Sequence, residues 1–294
     1  MLLRGARAIL PIGGFAAGQL LSLLFFFSAG LLFASEARER IGEKEGREAL
    51  FFLLLYPTAF FFAAAYSESL FLLLALLAFR FARRRELAAS AVFAFLAGTS
   101  RLPALALAVP LAIETYRAAG TGASRRGTSV RAALVGAAPV AGVLLWVFGA
   151  GWLAGEPGLY FRVQEAWNRG ASPLEGVRRF FGGLPARIAR GDAREHPGFL
   201  LDYAHLVAFA AIGVWQARRR LYSDAAWTAG ALLIPIASGI AASLPRYVLV
   251  VYPAFFALAE IFRLRPNLRL AWWIGSALLL LAGEAAFVHW HWVA

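Results

Sequence analysis

The stretch RRRELAASAVFAFLAGTSRLPALALAVPLAIETYR, residues 83–117, decides how the chain is read. It opens on Arg83-Arg84-Arg85, closes on Arg117, and is mostly apolar between them, with a polar interruption at Thr99-Ser100-Arg101. A helix that crosses a bilayer needs about 20 mostly apolar residues, and arginine clusters mark the cytoplasmic ends of such helices. With both flanks basic, both are placed inside, so Leu87–Thr115 is not a single crossing. The expectation is a re-entrant hairpin of two half-helices with its tip near Thr99-Ser100-Arg101-Leu102-Pro103. Pro103 suits a break, because the residue before a proline disfavours the α region. One long, Pro-kinked helix is the alternative, and it would invert the sidedness of everything downstream.

The rest of the chain has the same character. Of 294 residues, 61% are hydrophobic and 16% charged, against roughly 45–50% and about 25% in soluble domains. So few polar residues cannot cover a water-soluble globule, which argues against a cytosolic enzyme and against disorder. Apolar runs recur at Ala8–Ala34, Ala49–Ala65, Glu68–Phe81, Leu87–Gly98, Leu102–Thr115, Ala132–Leu153, Leu200–Gln216, Ala225–Ala242, Tyr247–Phe262 and Leu270–Val288. They are too long and too continuous for barrel strands. The fold class expected is all-α, a polytopic transmembrane helical bundle forming one membrane domain over 1–294. The net charge of +12 rests on arginine clusters between apolar runs. That pattern fits a membrane surface and not nucleic acid. The clusters at 83–85, 117–131, 218–220 and 263–269 are placed inside. Counting back from them puts the mixed-charge loop Glu36–Glu48 inside and the N-terminus outside. A loop of about 45 residues, 155–199, lies outside. No cysteine is present, so thiolate chemistry and disulfides are excluded.

Ionisable groups at membrane depth are costly, by about 2.5–3.5 kcal/mol at a helix centre, so each has two readings. Glu68, in Tyr66-Ser67-Glu68-Ser69, serves as a carboxylate facing an outer cleft or as the acidic start of a helix. Arg101, at the hairpin tip, is a fork for a phosphate or a partner in an internal salt bridge, for example with Glu68. Arg246, in Pro245-Arg246-Tyr247, reads as a phosphate contact or an interfacial anchor. In the outer loop, Tyr160, Phe161, Gln164, Glu165 and Trp167 suit sugar binding, and equally an amphipathic interfacial helix. Its basic second half, Arg178–Arg194, reads as a helix lying on the membrane surface. Glu68, Arg101 and Arg246 are expected to converge on one outer cavity. Glu260 and Glu284 read as helix-packing partners. The four histidines make no credible metal constellation, and no Walker, dinucleotide or Ser–His–Asp pattern occurs.

The stretches Leu55-Tyr56-Pro57-Thr58-Ala59-Phe60-Phe61-Phe62, Tyr66-Ser67-Glu68-Ser69, Gly98-Thr99-Ser100-Arg101, Tyr160-Phe161-Arg162-Val163-Gln164-Glu165-Ala166-Trp167 and Leu244-Pro245-Arg246-Tyr247 occur in this order. As an ordered set they resemble the PIG-V-type mannosyltransferases, from about Arg4 to the C-terminus. The resemblance implies a GT-C-like glycosyltransferase in a bacterial plasma membrane. Such an enzyme moves a sugar, typically mannose, from a polyprenyl-phosphate carrier to an acceptor hydroxyl on the outer face. It implies Tyr66, Arg101, Gln164, Trp167, Arg246 and Tyr247 as substrate contacts and Glu68 as an auxiliary acid–base group. No metal ligand is assigned and a divalent ion is left open. The family's acidic residue in a Trp-Asp-like setting has no counterpart, since no Trp-Asp pair occurs. The expectation is a chain lacking that N-terminal section, which binds the carrier sugar but transfers it poorly. A transporter or flippase and a non-catalytic assembly subunit are the rival readings.

Overall fold

The computed structural model describes residues 13–120, 124–166, 172–189, 198–239 and 243–289. Every regular element among them is helical: α1 Gly14–Ile41, α2 Glu43–Leu54, α3 Glu68–Arg83, α4 Leu87–Ser100, α5 Ala108–Ala118, α6 Arg125–Leu153, α7 Leu159–Ala166, α8 Pro173–Ala189, α9 Gly198–Arg218, α10 Tyr222–Ser238, α11 Leu244–Leu249, α12 Tyr252–Phe262 and α13 Pro266–Val288. Two 3₁₀ segments, Ala59–Phe62 and Leu102–Leu107, interrupt them. Among the described residues four helices, α1, α6, α9 and α13, are long and apolar enough to cross a membrane. Only 17% of the apolar window of α1 and 11% of that of α13 is buried in the protein. Phe27, Leu31, Trp152 and Leu281 stand exposed. An apolar surface this extensive marks a chain whose solvent is lipid.

Two compact units are distinguished: Met1–Leu77 with Phe255–Trp292, and Ala78–Ala254 with Val293–Ala294.

In the first unit, α1 and α2 form a tight helical hairpin. The segment Glu36–Glu48, expected as a loop, is helical instead: α1 runs on to Ile41, and Gly42 alone makes the turn, at φ +92°. Only glycine takes that conformation without strain. Gly46 lets the helices close up, because a Cβ there would lie 3.0 Å from the Arg38 backbone nitrogen. Helix continuity explains the charge pattern, since Glu36 is buried at 1% exposure while Arg38 and Glu39 face out. Glu48 pairs with Arg269 of α13, whose guanidinium also sits over the Trp273 ring, 5.3 Å from its centroid. The α1–α2 turn and the basic turn before α13 therefore share one end of this unit. The turn expected at Tyr66–Ser69 is wider than that, running from Leu55 to Ser67. Pro57 lacks an N–H and restricts Tyr56, which ends α2 early.

In the second unit, α4 and α5 both lean on α6. Gly98 and Gly142 meet at the α4–α6 crossing, and a Cβ on either would collide with backbone of the other helix. Farther along, Gly136 lies against Ala108 and Ala112 of α5; a Cβ on it would be 2.7 Å from the Ala108 carbonyl oxygen. Three basic turns share one end of the unit. The Arg85 guanidinium reaches Gly120, where a Cβ would lie 3.3 Å from Nη2, and Arg117 Nη2 donates to the Arg220 carbonyl at 3.4 Å. Both arginine triplets end helices in the same way. Glu86 N–H donates to Phe81 O and Leu221 N–H to Gln216 O, with Arg85 and Arg220 in the left-handed cap position. Cations there also complement the helix dipole.

The path from Arg85 to Gly120 thus leaves this end and comes back to it. Its outgoing arm has 14 residues, about 21 Å at 1.5 Å per residue and short of the roughly 30 Å core of a bilayer, while its return joins the six-residue 3₁₀ segment to the 11 residues of α5. The break falls where expected, with Arg101 extended at φ −157° and Pro103 opening the 3₁₀ segment.

The core of this unit is aromatic and hydrogen-bonded. Trp227 lies between Phe79, stacked at 5.0 Å, and Tyr252, edge-on at 5.0 Å. The fully buried Gln216 donates to the Pro253 carbonyl at 3.2 Å and accepts from Thr228 Oγ1 at 2.8 Å, tying α9, α10 and α12 together. Gln216→Leu leaves that carbonyl unpaired, which costs about 1–3 kcal/mol. Its thermal midpoint in detergent is expected to fall, whereas Gln164→Leu, at a half-buried position on α7, leaves it unchanged.

The basic helix expected in the outer loop departs from expectation. Instead of lying only on a membrane surface, α8 docks on protein: Phe180 is 2% exposed, Tyr203 Oη donates to the Phe180 carbonyl at 3.1 Å, and Gly176 abuts the Ala237 carbonyl of α10. Small Gly176 permits a close approach that charge counting does not reveal. Phe181, at 52% exposure, keeps the outward role.

Candidate functional site

Arg246 is the third residue of the short helix α11. Leu244, Pro245, Val248 and Leu249 bury one face of it, and it packs between α9 and α10. Arg246 and Tyr247 are half-buried on the remaining face. Ser243, just before the helix, holds φ +73° and is buried, while its carbonyl accepts from the Arg246 and Tyr247 N–H groups at 3.0 and 3.3 Å. A left-handed serine costs roughly 1–2 kcal/mol. Backbone strain of this sort persists where surrounding structure over-determines it, often beside a functional group.

Arg101 caps the 3₁₀ segment at the turning point of the α4–α5 path and is half-buried. Its depth follows from α4, which begins beside Arg85 and is 14 residues long, placing it about 20 Å from the basic end. Helix α10 begins beside Arg220 and has 17 residues, so α11 follows about 24 Å from that same end. The two arginines therefore lie toward the far end of the unit, opposite Arg85, Arg117 and Arg220. Gly230 of α10 packs on Ala106, where a Cβ would lie 3.0 Å away, so α10 supports the turning point directly.

Gln164 is half-buried on α7, which packs against the end of α6. There Tyr160 meets Trp146 at 5.3 Å and Phe161 at 5.5 Å, and Arg162 pairs with Glu156. Trp167 lies outside the described residues, as do His196 and His291.

Glu68 and Tyr66 belong to the first unit. Glu68 is the first residue of α3 and has 0% exposure, at the helix end whose dipole favours a carboxylate. Its neighbour Ser69 donates to the Phe62 carbonyl at 2.7 Å, fixing the entry to α3. The Tyr66 carbonyl accepts from Ser22 Oγ of α1 at 3.1 Å, and its ring meets Phe61 edge-on at 5.4 Å.

Sequence reasoning passed over four buried acids. Glu36, Glu48, Asp202 and Asp224 are all at most 8% exposed. A signal was present for Asp202, an acid inside the apolar run Leu200–Gln216. Glu36 and Glu48 gave none, because their charged neighbours imitate a solvated loop. Among the described residues no group of three His, Cys, Asp or Glu could hold a metal ion.

Comparison with family models, with curated proteins and with solved structures finds no match to the chain.

Proposed function

We propose that the chain is a membrane glycosyltransferase of GT-C-like type, in a bacterial plasma membrane, working on a polyprenyl-phosphate sugar, with mannose the sugar expected. The observation that carries this reading is the far-end placement of Arg101 and Arg246, opposite the end where the basic turns gather. A carrier phosphate stays at the interface while its prenyl tail lies in lipid, so it needs guanidinium donors at that depth. The basic end is the cytoplasmic one under the usual charge rule. The arms of α4 and α5 then form the re-entrant hairpin, which delivers Arg101 to the outer leaflet. Tyr247, next to Arg246, and Tyr160 and Gln164 on α7 have the amphipathic character that sugar faces favour.

In the reaction the acceptor hydroxyl oxygen bonds to the anomeric carbon, and the bond from that carbon to the phosphate oxygen breaks. The electron pair leaves with the polyprenyl phosphate, and the hydroxyl proton passes to a base. Arg101 and Arg246 stabilise the charge that grows on the departing phosphate. Glu68 is the auxiliary carboxylate that the resemblance implies.

Arg246→Ala is expected to weaken binding of polyprenyl-phosphate mannose by about 10–100-fold, the range for a hydrogen bond to a charged group. Binding in detergent micelles checks this. Undiminished binding removes Arg246 from the site, and no binding by the unmodified chain favours a transporter or an assembly subunit. Sidedness has its own test, since the chain has no native cysteine. Cysteines at Arg84, Arg126 and Arg219 are expected to react only from the cytoplasmic side. Labelling of Arg126→Cys from outside would overturn the re-entrant assignment.

A further inference from the structure

The α1–α2 hairpin of the first unit carries a groove that the proposed reaction does not use. It has a volume of about 280 Å³ and is lined by Leu31, Ala34, Ser35, Arg38 and Glu43, with Gly46, Arg47 and Leu50 completing its α2 side. Its chemistry changes along its length. On α1 the lining Leu31 is 61% exposed, and beyond the groove Phe27 and Leu24 are 69% and 54% exposed. Their three- and four-residue spacing sets them on one helix face. The same face continues through Ala34 and Ser35 to Arg38, while Leu50 and Arg47 form the opposite wall from α2. Gly46 closes the floor, where α2 touches the Arg38 backbone.

The groove is therefore apolar at one end and carries two arginines and the Glu43 carboxylate, a net positive charge, at the other. Arg47 makes no ion pair or side-chain hydrogen bond among the described residues. Among the described residues Arg38 has only Glu43, at 3.9 Å between groups that are each more than 60% exposed. An exposed pair of this kind holds its arginine weakly.

We propose that this groove binds an anionic glycerophospholipid. The phosphate sits between Arg38 and Arg47, and one acyl chain lies along Leu31, Phe27 and Leu24. Charge complementarity selects the occupant, since two arginines at the end of an apolar stripe match a negative headgroup on a hydrocarbon tail. A zwitterionic headgroup cancels that attraction with its own cation. Polar solutes find no partner for the leucine end, and free phosphate leaves that end empty. The lipid fastens the α1–α2 turn to one leaflet, at the end of the unit where Glu48 and Arg269 pair.

The test is native mass spectrometry of the whole chain, released from detergent with phosphatidylglycerol or phosphatidylcholine at equal concentration. Phosphatidylglycerol adducts are expected to survive at collision energies that strip phosphatidylcholine. The double variant Arg38→Gln/Arg47→Gln is expected to lose phosphatidylglycerol affinity by about 30-fold, from roughly 1 kcal/mol per cation near an anionic headgroup. Ala34→Phe fills the apolar floor with both charges retained and is expected to lower the same affinity. Melting in detergent shows that each variant is folded. Equal retention of the two lipids, or a folded double variant that still holds phosphatidylglycerol like the parent, overturns the proposal. Displacement of the lipid by millimolar inorganic phosphate alone would overturn it in favour of a simple anion site.

Discussion

Glu68→Gln is expected to lower the chain's residual sugar transfer, by up to about 10²–10⁴-fold where this auxiliary carboxylate takes the proton. The carboxylate is fully buried at the first residue of α3. Glutamine keeps its length and branching while removing its charge and its ability to take a proton. Binding of the carrier sugar is expected to stay within a few-fold of the parent, the opposite signature to that of Arg246→Ala. The competing role for Glu68 is purely structural, an acid at the positive end of a helix. That role is worth about 0.3–1 kcal/mol, so the glutamine variant would then lose a little stability and no activity. Transfer from labelled polyprenyl-phosphate mannose, measured with a thermal melt, separates the two. Unchanged transfer by a folded variant moves the base elsewhere.

Gly98→Leu is expected to abolish folded protein. At the crossing of α4 and α6, a Cβ on Gly98 collides with the Pro139 carbonyl oxygen and crowds the Gly142 backbone, which would lie 2.9 Å away. The obstacle is main chain on a helix of 29 residues, so no rotamer change relieves it. Overpacking of ordinary cores costs about 1–3 kcal/mol, and this site is expected to exceed that, against a total stability of about 5–15 kcal/mol. Gly275→Leu is the control, because a Cβ there meets nothing within 4 Å. Fluorescence-detected size exclusion of the two variants is the measurement. A monodisperse Gly98→Leu peak equal to the control would show that α4 and α6 separate without loss. Separation would also displace Arg101, so the crossing sets the reach of the proposed phosphate contact.

The helical class, the four long apolar helices and the breaks at Arg101 and before Arg246 were legible in the sequence. Each depends on local information: run length against bilayer thickness, arginines at helix ends, and prolines that interrupt backbone hydrogen bonding. Only the tertiary structure decided that Glu36–Glu48 is helical on both sides of Gly42, that Glu48 pairs with Arg269, 221 positions away, and that α8 seats Phe180 on α9 and Gly176 on α10. It also decided that Gly98 and Gly142 meet. A charged segment looks the same in a solvated loop and on a helix whose acids find distant partners. A glycine in an apolar run looks the same whether its missing Cβ faces lipid or another backbone. Those distinctions are properties of contacts between remote segments, and lipid-facing residues resemble core residues in composition because both have apolar surroundings.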